Sequence, residues 1–320
     1  MKQHNRSFPT ILLIIPYFGK WPEWFLFYLE TCRWNSTIDW LFFTDCQPPE
    51  NAPANTKFHF IEFSDYKKLV SERLKINFDP PSPYKLCDIK PAYGYIHQDA
   101  IADYDFWGFG DIDVVYGDIR AFYPESILRR YNTLSTIADR VSGHFFLARN
   151  QERWINAFRH IPNWQNLMGN PEHLGIDEYW FSKVLREHRL LPMPLVNLLG
   201  LVAPLKRNHL FQEQYSTPMA EWPWRDRSYQ YPEQFFWYRG KLTDESGEEL
   251  MYLHFMNWKS SKYLHPRYGN IAAWEKLDRI IDSSLADLSE GWCIGTSGFT
   301  PLRADFIADP KRITHEAHPD

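Results

Sequence analysis

The unbroken apolar run "TILLIIPYFG", from Thr10 to Gly19, does most to limit how this chain can fold. A strand wet on one side alternates apolar and polar residues, whereas one covered on both faces reads as a continuous branched-aliphatic run. Pro16 and Gly19 stop this one, and a parallel sheet with helices against it is the consequence. Ile11 to Ile15 is too short for a signal-peptide core, which needs about 7–15 apolar residues and a small-residue cleavage site. A membrane-spanning helix needs about 20 residues, which no later segment supplies either.

The rest of the chain repeats this grammar. Helical spacing in "WPEWFLFYLETCRWN" is followed by a second buried strand, "DWLFFTD", and an edge strand, "KFHFIEFSD". "DYKKLVSERLKI" and "SPYKLCDIKPAYGYIHQDAI" read as helices, and "DFWGFGDIDVVYGD" as the fourth strand. This order predicts an α/β fold, an open sheet flanked by helices, in which ligands bind beyond the carboxyl ends of the strands. Those ends are "PYFG", "FTD" and "GDIDVVYGD".

After Asp118 the pattern changes. "IRAFYPESILRRY" reads as a helix, "RVSGHFFLARN" as a strand, and "QERWINAFRHI" and "IDEYWFSKVLREH" as amphipathic helices. Pro194 to Trp237 is irregular and rich in Pro and Trp. A hairpin of "QFFWYRGKL" with "ELMYLHFMNW" then precedes a closing helix, "NIAAWEKLDRIIDSSL". The simplest division is one compact unit with a ligand-binding half, residues 1–125, and a second half, 126–320, that is aromatic-rich, irregular and shapes another site.

Hydrophobic residues at 44% and charged ones at 23% describe an ordinary globular protein. Aromatic residues at 17%, with 14 Trp, exceed what a core needs, and some are expected to line a cleft, where sugars are one ligand class that stacks on rings. A net charge of −5 offers no basic field for a phosphate polymer, which excludes a nucleic-acid partner but not a mononucleotide. Cys32, Cys46, Cys87 and Cys293 form no zinc-type spacing and read as reduced thiols of a cytoplasmic protein.

In the apolar fourth strand sit two acids, Asp111 and Asp113. If residues 111–113 are extended, both carboxylates project on one face with α-carbons about 7 Å apart. Buried together they repel, and a hard divalent cation removes that difficulty. The alternative is a pair that caps a turn and faces water.

"GDIDVV" at the end of a fourth strand resembles the Asp-x-Asp motif of nucleotide-sugar-dependent glycosyltransferases with the GT-A (Rossmann-like) fold. Further pieces follow in the order of the retaining branch that includes glycogenin and the lipopolysaccharide galactosyltransferases. "SGHFFLARN" resembles its Asn-x-Gly strand, with Ser142 in the Asn place before Gly143; "GIDEYWFSKVL" resembles its Asp-Gln helix start, with Glu178 in the Gln place. "LHFMNWKSSK" is similar to its late His-Phe...Lys segment. "PYFGKWPEWF", "KLCDIKPAYGYI" and "DFWGFGDIDVVYGDIRAF" also resemble an uncharacterised bacterial family found with surface-polysaccharide genes.

Carried over residue by residue, the resemblance implies that Asp111 touches the ribose or the metal, that Asp113 coordinates the metal, and that His254 is the third protein ligand. An imidazole ligand suits Mn²⁺ better than Mg²⁺. Lys259 would meet the diphosphate; Pro16, Tyr17 and Phe18 would edge the base, with Tyr17 beside a uracil; Asp45 would contact base or ribose. Of Lys85, Asp88 and Lys90, in the helix before the fourth strand, Lys85 is the favoured donor-binding group, with Asp88 beside it. Asp177 and Glu178 are candidates for sugar or acceptor contact, or for the base of an inverting reaction; as first-turn acids of a helix they could equally serve its start.

The function implied is transfer of a sugar from a nucleotide-sugar donor, a UDP-sugar first, to a glycan or glycolipid acceptor in surface-polysaccharide synthesis. Retention is favoured over inversion because of the late His and Lys. It would take place in the cytoplasm, at the inner membrane face where the acceptor is lipid-linked. A sugar nucleotidyltransferase is demoted because "PYFGKWPEW" has one Gly and one Lys where a phosphate loop is wanted. A non-catalytic glycan-binding protein gives no reason for the paired acids.

Overall fold

A computed structural model describes residues 8–185 and 208–302. The first part of the irregular stretch expected from Pro194, and the end of the helix expected over "IDEYWFSKVLREH", lie outside the described residues. The strands are β1 (Ile11–Pro16), β2 (Ile38–Thr44), β3 (Thr56–Phe60), β4 (Phe106–Gly110), β5 (Val114–Tyr116), β6 (Thr133–Ser135), β7 (Phe145–Arg149), β8 (His209–Phe211), β9 (Gln234–Tyr238), β10 (Lys241–Asp244), β11 (Tyr252–His254), β12 (Trp292–Gly295) and β13 (Gly298–Pro301). Two longer helices, α1 (Phe25–Trp34) and α2 (Phe63–Leu74), are joined by many short ones.

By their contacts the residues fall into two compact units interleaved along the chain: Met1–Lys20, Thr37–Asp111 and Tyr123–Glu213 form one, and Trp21–Ser36, Ile112–Phe122 and Gln214–Asp320 the other. The first holds a seven-stranded mixed sheet in the order β3-β2-β1-β4-β7-β6-β8. β3, β2, β1 and β4 run parallel, β7 is antiparallel to both β4 and β6, and β8 runs parallel to β6. The apolar runs become the buried strands, as expected: Ile14 stands between Leu41 and Phe109 in the parallel register and is out of water. α2 brings Tyr66, Val70 and Leu74 onto this core. Gly94 lets the chain lie directly on the Trp107 indole, because a Cβ there would come within 2.5 Å of the ring.

The second unit holds a four-stranded antiparallel sheet, β10-β9-β12-β13, and the two-stranded pair β11-β5. Its core is aromatic, with Trp237 and Trp292 stacked at 5.1 Å and Phe27, Phe255 and Phe299 packed among them. Asn35 closes α1: its Nδ2 donates to Thr31 and Gly117 carbonyls, and its Oδ1 accepts from Ile119 N–H.

Several expectations need correction. The fourth strand does not run through residues 111–113: β4 ends at Gly110, and β5 leaves to pair with β11. The Ile112 carbonyl turns away to accept from Trp24 Nε1 at 2.9 Å, so the acids are not successive same-face positions of one strand. The late hairpin forms within 234–244 as β9 and β10, while β11 joins β5 instead. The expected closing helix is only a 3-10 turn, Trp274–Lys276, among irregular chain, since its apolar residues are drawn into the aromatic core. "IRAFYPESILRRY" is split into Ile119–Phe122 and Glu125–Arg130 by Pro124, which precedes the second piece. Most of the helix expected before β4 is a 3-10 helix, Pro83–Ala92.

Candidate functional site

At the carboxyl ends of β1 and β2, Tyr17 N–H continues the ladder to Phe43 O, and the Tyr17 hydroxyl donates to Lys20 O at 2.7 Å. Phe18 turns inward against Phe63 and Tyr66 and is buried, so it serves the core beneath the strand end. Pro16 ends β1 half-buried. The Asp45 carboxylate accepts from Gly19 N–H at 2.8 Å, tying the ends of the two strands together. Tyr17 and Asp45 thus follow the carboxyl ends of the neighbouring strands β1 and β2.

The 3-10 segment before β4 separates its two lysines. With three residues per turn, residues three apart eclipse. Lys85 therefore lies on Asp88, with Nζ 2.8 Å from Oδ2, and it also donates to the carbonyls of Leu167 and Glu172. Asp88 completes the clamp by accepting from Leu174 and Ile176 N–H groups. All three Lys85 protons are satisfied within the protein, which leaves none for a donor molecule. Asp88, His173 and Asp177 place ligand atoms within 4.8 Å of one another, but an ammonium already occupies the Asp88 carboxylate.

Lys90, two residues past the clamp, faces Asp111 instead. Its Nζ is 2.5 Å from Asp111 Oδ1, 2.8 Å from Gly143 O and 3.9 Å from Asp177 Oδ2. Burial is the largest influence and works against its charge, but Asp111, Cys87 and Asp177 together outweigh it and hold the ammonium above its ordinary range. The sequence offered Lys85, Asp88 and Lys90 on this segment and favoured Lys85; Pro83 and Pro91 are compatible with the tight 3-10 turn that sends the two lysines to different acids.

Asp177 and Glu178 open the π-turn Ile176–Trp180 after Gly175, whose φ of 65° is left-handed. Asp177 is buried, and burial first, then Glu178 and Asp111, push its carboxyl up to about 8 against the opposing pull of Lys90. Glu178 Oε1 accepts from Gly143 N–H at 3.3 Å, and Oε2 lies 3.7 Å from Arg140 Nε. Gly143 leaves room for both acids, since a Cβ there would stand 3.0 Å from Asp177 Oδ2 and from Glu178 Oε1. Ser142 is buried and shapes the turn, its Oγ accepting from Phe145 N–H. Lys90, Asp111, Gly143, Asp177 and Glu178 therefore form one cluster in the unit that carries the large sheet.

The other unit holds a second cluster. Antiparallel pairing sets His254 opposite Val114, next to Asp113, and Phe255 N–H donates to Asp113 O. Asp113 Oδ2 lies 2.6 Å from Lys259 Nζ and 3.4 Å from His254 Nε2. Burial alone would raise this carboxyl, but Lys259 and His254 outweigh it and hold the group well below the usual range. His254 Nδ1 is 3.2 Å from Thr217 Oγ1, a contact that orients the ring with Nε2 toward the acid. Trp24 flanks the cluster with its ring 5.6 Å from Lys259 Nζ. A carboxylate held ionised beside an imidazole nitrogen is a donor pair that could hold a divalent metal ion.

The model of the Family of unknown function (DUF6625) matches residues 13–275. No curated protein matches the chain. Three solved structures are similar in outline. A glycosyltransferase involved in the glycosylation of the major capsid of PBCV-1 is 8% identical, with a TM-score of 0.35 over 65% of this chain and 84% of its own. Mouse xyloside xylosyltransferase 1 is 12% identical, at 0.34 over 78% and 97%. The galactosyltransferase LgtC, in complex with donor and acceptor sugar analogues, is 10% identical, at 0.37 over 77% and 87%. Similarity of this degree assigns neither activity nor substrate to this chain.

Proposed function

We propose that this chain, which belongs to the Family of unknown function (DUF6625), is a metal-dependent glycosyltransferase that moves a sugar from a nucleotide-sugar, a UDP-sugar first, to a glycan or glycolipid acceptor. The observation that carries this reading is Asp113: a buried carboxylate, kept ionised, just past the carboxyl end of a parallel strand and faced by an imidazole and an ammonium. Asp113 and His254 are the proposed metal ligands, and Asp111, two residues earlier, is the further carboxylate of the motif. Mn²⁺ is preferred and Mg²⁺ comes second, on the softness of the imidazole donor. A bound ion would neutralise charge developing on the leaving diphosphate.

The chain's own groups take the remaining roles. Tyr17 and Asp45, at the ends of β1 and β2, receive base and ribose, with Pro16 and Phe18 supporting that edge. Lys90, rather than Lys85, is the basic group facing the donor. Asp177, with its carboxyl near 8, carries a proton at neutral pH, which suits hydrogen bonding to a sugar hydroxyl better than proton abstraction. That favours retention, in which no protein base is required. Surface-polysaccharide synthesis in the cytoplasm, with peripheral contact to the membrane that carries a lipid-linked acceptor, is the setting proposed. No helix among the described residues is long and apolar enough to cross a membrane.

The test is thermal unfolding across a set of nucleotide sugars, with and without Mn²⁺. A ligand at 100 times its Kd that binds only the folded state stabilises by about 2.7 kcal/mol. Asp113→Ala should remove the metal-dependent part of that gain. Its persistence in the variant would show the metal assignment to be wrong.

A further inference from the structure

We infer that Lys259 plugs the metal-facing oxygen of Asp113, so that a divalent cation and a diphosphate bind this protein together and much more weakly apart; the inference rests on the metal-dependent reading above. Lys259 Nζ and His254 Nε2 converge on the same atom, Asp113 Oδ2, at 2.6 and 3.4 Å. A divalent ion shared between His254 Nε2 and Asp113 would take the carboxylate oxygen that faces that nitrogen, Oδ2, at about 2.0–2.6 Å. An ammonium at hydrogen-bond distance from the same atom would face the ion at close range in a partly dry setting, where like charges repel strongly. The ion must therefore move the lysine aside.

Lys259 is built to be moved. It ends the one-turn helix Met256–Lys259, on four methylenes, and its side chain is 29% exposed while that of Asp113 is 11% exposed. The Trp24 ring beside it is anchored through Nε1 to Ile112 O, so the plug has a fixed wall on one side. Once displaced, the ammonium lacks its carboxylate, and an arriving diphosphate supplies the replacement anion. Each ligand then strengthens the other by the same factor, as linkage requires.

The experiment measures Mn²⁺ binding to the full chain by electron paramagnetic resonance of the free ion, with and without UDP. It compares wild type with Lys259→Met, Lys259→Gln and Lys259→Arg, each first shown to be folded by circular dichroism. Removing the plug is expected to tighten binding of Mn²⁺ alone about tenfold or more, the scale of one partly buried ion pair, and to reduce the enhancement by UDP. Lys259→Arg should keep the weak binding of wild type. Equal or weaker Mn²⁺ binding by the Met and Gln variants would overturn the plug while leaving the metal reading in place. Absence of Mn²⁺ binding in every protein, with UDP present, would overturn the metal reading and the plug with it.

Discussion

Lys85 Nζ and Asp88 Oδ2 lie 2.8 Å apart with both side chains out of water. The pair links the 3-10 helix to the carbonyls of Leu167 and Glu172 and the amides of Leu174 and Ile176. It therefore fixes the segment that delivers Asp177. Removing one partner strands a buried charge, so Asp88→Ala should cost about 3–5 kcal/mol of folding stability, read from urea unfolding. A loss below about 1 kcal/mol would deny the clamp its role.

Asp177 makes stability depend on pH in an unusual direction. Its folded-state value near 8 exceeds an ordinary carboxyl value of about 4, so between these the folded protein binds more protons than the unfolded chain. Stability contributed by the protonated form is complete below about pH 4 and declines as pH rises to about 8. Asp177→Asn cannot titrate and should flatten that decline. Urea midpoints from pH 4.5 to 8.5, compared between the two proteins, check it.

Gly143→Ala adds a methyl group 3.0 Å from carboxylate oxygens of Asp177 and Glu178. Both acids can rotate away, so the loss of stability should stay within about 1–3 kcal/mol. Their placement would not survive. In the proposed enzyme, sugar transfer should fall at least tenfold while the unfolding transition remains cooperative.

Asn35→Ala leaves the Gly117 carbonyl and the Ile119 N–H of one buried turn without their side-chain partner. Leaving such groups unsatisfied costs about 1–3 kcal/mol each. Unfolding in urea should therefore shift by several kcal/mol, whereas Asn35→Asp, which keeps the acceptor, should lose less.

How far the sequence can be read depends on what decides each element. β1, β2 and β4 were legible because strands buried on both faces have no polar alternation to confuse them. The break at Ile112 was not, because a side chain far away in sequence, Trp24, captures its carbonyl. The helix expected after Asn270 failed for a similar reason: Trp274 Nε1 donates to Gly295 O, and tertiary packing overrides helical spacing. Lys85 and Lys90 carry the same charge on one short segment, and only the three-residue pitch of the backbone decides that one faces Asp88 and the other Asp111.

Val114 meets His254 across β5 and β11 although more than a third of the chain separates them. On the ribosome the acid at 113 emerges long before the imidazole and ammonium that hold it, at about 5–20 residues per second. Until residue 259 is released, the nascent protein carries a negative charge without its later partners, in the short connection between two apolar strands. Whatever chemistry these three groups perform together, translation itself withholds it until the late strand has docked.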